Sequence, residues 1–310
     1  MTDAIRFSDL MRNTRLLIGN RLRRLRWRRL DYVVFRVSGH YPERTLHRRR
    51  RFPLSLLPWP SPPPSVGGFV LALERIAADP RVKGVVLIVS GLAAGSATIG
   101  SLRTAILRLR RAGKHCVAYI HDLDTWSYYL ASACDEIFAP ETATFRAVGL
   151  RAEVLFLKDT LALAGLEADF EAIAEYKVSP DTLRRSTMSE PHREMLESLL
   201  DSIYGELIAA IAQGRDMSGE RIRDLLDAAP MPAPQASQVG LLDATCYEDE
   251  LPHQLGTDGA PASLVTWDTA RRQLLQPLRW RGRRAIGVIS LVGTIVQGPS
   301  QRPPIPLPPS

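Results

Sequence analysis

Apolar and polar positions alternate along the chain in a way that predicts repeated strand–helix units. Val82–Val89 is a short, almost continuous run of β-branched and apolar residues, as expected of a strand buried on both faces. Thr98–Ala112 has a helical apolar period closed by Gly113, and His115–Ile120 reads as a second strand. A short helix over Ser127–Cys134 leads into a strand at Glu136–Ala139. Helix Ala152–Ala164, closed by Gly165, then leads into strand Ala168–Tyr176. Ser189-Glu190-Pro191 opens a long amphipathic helix that runs to Gln213. Upstream, Tyr32–Val37 reads as a strand ending at Gly39, and Phe69–Ala78 as a helix stopped by Asp79-Pro80. Successive β-α-β units imply a parallel sheet covered by helices, hence an α/β fold.

Two further patterns set the domain expectation. Residues 6–29 fit a helix with Phe7, Leu10, Met11, Leu17, Ile18, Leu22 and Leu25 on one stripe and arginines on the rest. Val34-Phe35-Arg36-Val37-Ser38-Gly39 is echoed by Val288-Ile289-Ser290-Leu291-Val292-Gly293, and six prolines follow each copy. The expected division is a basic arm with the first strand over 1–51, a proline-rich linker over 52–65, an α/β body over 66–282, and over 283–310 the start of a second half that is not completed.

Charge sharpens this picture. Residues 1–51 hold fifteen arginines against four acids, whereas the remainder is slightly acidic. The basicity therefore belongs to the arm, which argues against a nucleic-acid-binding body and for an arm that meets anionic lipid. An RNA-binding arm and a helix docked on the body itself are the alternatives. No apolar run approaches the roughly 20 residues a membrane span needs, and no signal-peptide core is present, so the expected location is peripheral, on the cytoplasmic face of a membrane. Cys116, Cys134 and Cys246 are widely spaced, which predicts buried free thiols rather than disulfides; no metal site or cofactor is indicated.

Candidate chemistry is sparse. There is no GxSxG elbow, P-loop or paired CxxC. The small-residue loop at Ser90–Ser96 lies between a strand and a helix, where backbone N–H groups can face an oxyanion; Ala94 and Gly95 are its candidates. His121, with Asp122 and Asp124, sits at a strand end, but no motif places a serine beside it, and a solvent-facing loop is the simpler reading. Lys177 follows the strand expected at Ala168–Tyr176. A lysine base must be neutral, and with a reference pKa of about 10.4 it becomes so at neutral pH only in a desolvated pocket.

These residues also carry a family resemblance. Asp79-Pro80-Arg81-Val82-Lys83-Gly84-Val85-Val86-Leu87, Tyr128–Ile137, Glu175-Tyr176-Lys177-Val178-Ser179-Pro180 and Val239-Gly240-Leu241-Leu242-Asp243 resemble, in order, segments of the signal peptide peptidase (protease IV) family. The likeness is to the long, two-half form, in which one half carries a lysine and the other a serine. It implies a ClpP/crotonase-like fold, a homo-oligomer, and a Ser/Lys dyad cleaving signal peptides or other membrane-derived peptides, with Lys177 as the general base. Thr125 stands where single-half relatives have their serine, and Trp126 and Ser127 replace the glycines of that turn; this marks a degenerate nucleophile position. The resemblance thus places the working serine outside this chain and implies that the chain alone is inactive. Two other readings remain: a non-catalytic membrane-associated scaffold or regulatory subunit of the same fold, and a crotonase-type acyl-CoA enzyme, for which no acidic catalytic pair is identifiable.

Overall fold

The computed structural model describes residues 7–25, 29–45, 64–171, 173–257 and 259–276, together with Gly287 and Ile289. The second copy of the repeat, the segment 283–310 and the first proline-rich stretch lie almost entirely outside the described residues. The chain divides into two compact units, Gly19–Pro277 and a smaller one made of the two termini. Helix α1 (Phe7–Leu25) begins in the smaller unit and ends in the larger. All other elements below belong to the larger unit.

The first part of that unit alternates as the sequence predicts: β1 (Tyr32–Gly39), α2 (Val66–Ala77), β2 (Gly84–Leu92), α3 (Ser96–Arg111) and β3 (His115–Ile120). Next come β4 (Leu123–Asp124), α4 (Thr125–Ala131), β5 (Glu136–Ala139) and β6 (Thr144–Arg146). Helices α5 (Lys158–Leu163), α6 (Asp181–Arg184), α7 (Glu190–Arg215) and α8 (Gly219–Asp227) precede β7 (Met231–Pro232). The unit closes with α9 (Ala233–Gln238), β8 (Ala244–Thr245), α10 (Leu251–Gln254), β9 (Leu264–Thr266) and α11 (Trp267–Gln273).

Six strands form one sheet in the order β8-β5-β3-β2-β1-β9, every pair parallel. The side-chain alternation of a strand divides its burial between two faces. Val85, Leu87 and Val89 of β2, with Cys116, Ala118 and Ile120 of β3, join the large core under α2, α3 and α4. Val86 and Ile88, with Val117 and Tyr119, join a smaller cluster closed by Phe138, Leu251 and Leu255. This two-sided burial is why β2 reads as an unbroken apolar run. It also meets the expectation of a helix-covered parallel sheet of the ClpP/crotonase type.

Local chemistry sets the element ends. Ser65 caps α2 by accepting from the Gly68 N–H, and Asp79 takes over after its last turn. The Asp79 carboxylate, fully shielded from solvent, accepts two bonds from the Arg81 guanidinium and one from the Leu275 N–H. Burial alone would raise its pKa, but these donors hold it below the ordinary carboxylate value. Gly113 closes α3 at φ 78°, where a Cβ would be strained. The three cysteines are free and buried; burial pushes the Cys116 thiol up to about 12 and the Cys246 thiol up to about 11.

One stretch differs from its expected structure. Only Lys158–Leu163 of the helix expected at Ala152–Ala164 is helical, and the described residues of Ala168–Tyr176 contain no strand. Leu163 is 91% exposed and Ile173 98% exposed, with Leu155, Leu166 and Phe170 also open. Apolar content suggested regular elements, but among the described residues no surface covers their apolar side chains, and the backbone stays irregular.

Candidate active site

In a parallel α/β sheet the loops beyond the carboxyl ends of the strands collect functional groups. Here the end of β2, through Gly91 (φ 54°) and Leu92, leads by way of Ala93, whose N–H donates to the Gly39 carbonyl, into Ala94 and Gly95. Gly95 is the residue that precedes α3, and no side chain caps that helix. Ala94 and Gly95 thus lie where the sequence puts them, at an open helix N-terminus following a central strand.

Thr125 is arranged differently. Thr125 is the first residue of α4, and its hydroxyl donates to the Val148 carbonyl (2.8 Å) while accepting from the Val148 N–H (3.1 Å). This two-way bond makes the side chain a substitute for a strand partner and ties α4 to the loop after β6. The amide donors at the helix start are also occupied. Asp124 accepts from the N–H groups of Trp126 (2.9 Å) and Ser127 (3.0 Å) and from the Ser127 hydroxyl (2.7 Å). A fixed carboxylate therefore fills the positive end of α4, where a developing oxyanion would otherwise be stabilised. The sequence did not identify this role for Asp124, although an Asp just ahead of a helix with Ser three positions later is a capping pattern.

Lys177 lies in an irregular turn between α5 and α6, not at a strand end, and it is exposed. Its backbone N–H donates to the Ala174 carbonyl; its ammonium has no hydrogen-bond or ion-pair partner among the described residues. Neighbouring contacts brace this turn: the Tyr176 hydroxyl donates to Glu194 (2.9 Å), and the Ser189 hydroxyl donates to the buried Asp181 carboxylate (2.9 Å). Among the described residues, no hydrogen bond joins Lys177 to Thr125, Ala94 or Gly95.

His121 is half-exposed and faces Glu248 (Nε2 to Oε2, 3.3 Å), which in turn accepts from Arg36 (2.6 Å). It pairs with neither Asp122 nor Asp124: Asp122 is beside Arg146 (3.6 Å), and Asp124 is committed to α4. A triad at this strand end is thereby excluded by geometry.

One residue of consequence has no mark in the sequence. Arg103 of α3 is only 4% exposed and donates to the Tyr129 carbonyl (2.9 Å), the Ser132 hydroxyl (2.7 Å) and the Ala210 carbonyl (2.7 Å). Its guanidinium lies 5.1 Å from the Tyr129 ring centre. It locks α3, α4 and α7 together beside a cavity of about 550 Å³ that Trp126, Tyr129 and Glu206 also line.

The class this describes is an α/β scaffold with open loops past a parallel sheet, a Thr125 hydroxyl engaged by Val148 and a Lys177 ammonium that has no partner among the described residues. Residues 108–258 match the model of peptidase family S49. The chain is 30% identical over 240 residues to the chloroplastic serine protease SPPA of Arabidopsis thaliana, and 25% identical over 247 residues to protease 4 of Haemophilus influenzae. Each alignment takes in 74% of this chain but only 35% and 40%, respectively, of those relatives, so the chain spans little more than a third of the length of proteins it resembles. Among solved structures, a membrane-bound stomatin-specific protease superposes with a TM-score of 0.43 at 8% identity, covering 77% of this chain and 98% of that one. A likeness at that level supports nothing further. On the sequence matches, the chain is similar to peptidase family S49 over residues 108–258 and to relatives of the SppA type.

Proposed function

We propose that this chain supplies the base side of a Ser/Lys peptidase site whose serine comes from a second half carried elsewhere. The single observation behind this reading is the state of the two key side chains. The Thr125 hydroxyl is engaged on both sides by Val148, whereas the Lys177 ammonium has no partner among the described residues. A lysine base needs dry surroundings, which the described residues do not provide. The uncovered apolar side chains around it, among them Phe170 and Ile173, suit a surface that becomes buried when the serine-bearing half or another copy of the chain packs there. In that assembly the substrates are signal peptides and related membrane-derived peptides, and the oxyanion contact falls to Ala94 and Gly95 or their counterparts in the other half.

The arm fits the same setting. In α1, Met11, Ile18 and Leu22 are exposed along one line of the helix, with Arg15 and Arg21 exposed on either side. An apolar stripe bordered by arginines suits an anionic membrane surface. No helix of the described residues is long and apolar enough to cross a membrane.

In the assembly that includes the serine-bearing half, Lys177→Ala is expected to lower peptide hydrolysis at least about a hundredfold, the low end for loss of a general base. Lys158→Ala, an exposed lysine on α5, should leave it within about twofold. Equal rates for wild type and Lys177→Ala would remove the catalytic reading and favour a scaffold of the same fold.

A further inference from the structure

A second cavity, of about 410 Å³, lies where the end of α1 meets the C-terminal end of α11, away from Lys177 and Thr125. Arg23, Arg81 and Arg272 line it, with Leu22, Leu30 and Gln273. Its walls are fixed: Asn20 exchanges two hydrogen bonds with the backbone of Gln276 (2.9 and 3.0 Å), which clamps α1 to the segment following α11.

The three guanidiniums are only partly used. Arg81 gives Nε and Nη2 to Asp79, and Nη2 also reaches the Gln273 carbonyl (2.8 Å), leaving Nη1. Arg23 donates to Asn20 (3.1 Å) and, at 3.3 Å, to the Arg272 carbonyl, leaving Nη2. Among the described residues no carboxylate pairs with Arg23 or Arg272. No carboxylate is among the described residues that line the cavity, and Asp79 beside it is already committed to Arg81. Carbonyls at the end of α11 take some N–H groups, but they carry partial charges and do not balance three cations. Next door, burial pulls the Arg75 guanidinium below its ordinary range, and repulsion from Arg23 and Arg271 pulls it further. Positive charge is therefore in excess at a preformed concave site.

We propose that this cavity binds a phosphate group, held by Arg23, Arg272 and the free Nη1 of Arg81. Guanidinium forks match phosphate oxygens in geometry as well as charge. The volume exceeds what a phosphate needs, and Leu22 and Leu30 offer an apolar wall to whatever the phosphate carries. The phosphate can be a free anion or the headgroup of a phospholipid, and neither source depends on the peptidase reading.

Two probes distinguish the sources: inorganic phosphate by titration calorimetry, and sedimentation with phosphatidylcholine vesicles with or without phosphatidic acid. The full chain is compared with Arg272→Gln, with Arg23→Gln, and with Arg111→Gln as a charge control in the exposed last turn of α3. Saturable phosphate binding, weakened at least about tenfold by Arg272→Gln and Arg23→Gln but not by Arg111→Gln, is the result expected for a free anion. Binding only to phosphatidic acid vesicles, with the same tenfold loss and the same unaffected control, identifies a headgroup. Absence of saturable binding to either probe overturns the proposal. So does wild-type binding by Arg272→Gln, or an equal loss in Arg111→Gln. Arg272 is exposed, so its replacement leaves the fold intact and the readout interpretable.

Discussion

Gly84→Ala is expected to destabilise the chain by about 3 kcal/mol or more, beyond the usual range for an added methyl group in a core. Gly84 opens β2 in the middle of the sheet, paired with Tyr32 of β1 on one side and His115 of β3 on the other. A Cβ at this position would fall on the carbonyl of His115. That obstacle is backbone in a central strand, so no rotamer change relieves it; β2 and β3 would have to separate where their ladder begins. The nearby bonds from the Lys83 and Gly84 N–H groups to the Asp31 carbonyl would be strained with it. Because a domain of this kind holds only about 5–15 kcal/mol in total, the variant should unfold at a far lower urea concentration or fail to accumulate. Gly149→Ala, where an added Cβ meets nothing, should stay within about 0.5 kcal/mol of wild type. A Gly84→Ala midpoint close to that of Gly149→Ala would show that the parallel register of β2 and β3 is wrong.

Arg103→Met is the second large effect, at about 2–4 kcal/mol. Methionine keeps most of the stem volume but removes every donor. The Tyr129 and Ala210 carbonyls and the Ser132 hydroxyl then each lose a charge-assisted partner in a largely buried site. Such bonds contribute about 1.5–3 kcal/mol each, and the relief of no longer burying a charge offsets part of their sum. Burial holds the Arg103 guanidinium below its ordinary range, a direct sign of that cost. Urea unfolding measures the balance. A variant as stable as wild type would mean that Arg103 is merely tolerated, and that packing alone joins α3, α4 and α7.

The sheet was legible because its central strands are buried on both faces. Val82–Val89 and His115–Ile120 could not be mistaken for amphipathic helix, and β3 and β5 fall on their expected limits. The region before Lys177 was misread because periodicity reports which side chains are apolar, not whether anything covers them. Leu155, Leu163, Leu166 and Ile173 remain exposed, and the described residues of Ala168–Tyr176 form no strand. The surroundings of Thr125 were legible only in part. The capping of α4 by Asp124 is local and follows from an Asp just ahead of the helix, whereas the engagement of Thr125 by Val148, 23 residues on, is a tertiary fact. Arg103 left no trace, since an arginine on an amphipathic helix looks solvated until α7 packs over it.

On the proposed function, these residues supply a base without a free nucleophile. Labelling of the 310-residue chain with a serine-reactive fluorophosphonate tests it most directly. The expected result is no labelling above that of Thr125→Ala, because the Thr125 hydroxyl is held on both sides by Val148 and the Ser127 hydroxyl by Asp124. Stoichiometric labelling of the wild type that disappears in Thr125→Ala would contradict it, and would make this chain a complete peptidase with threonine as its nucleophile.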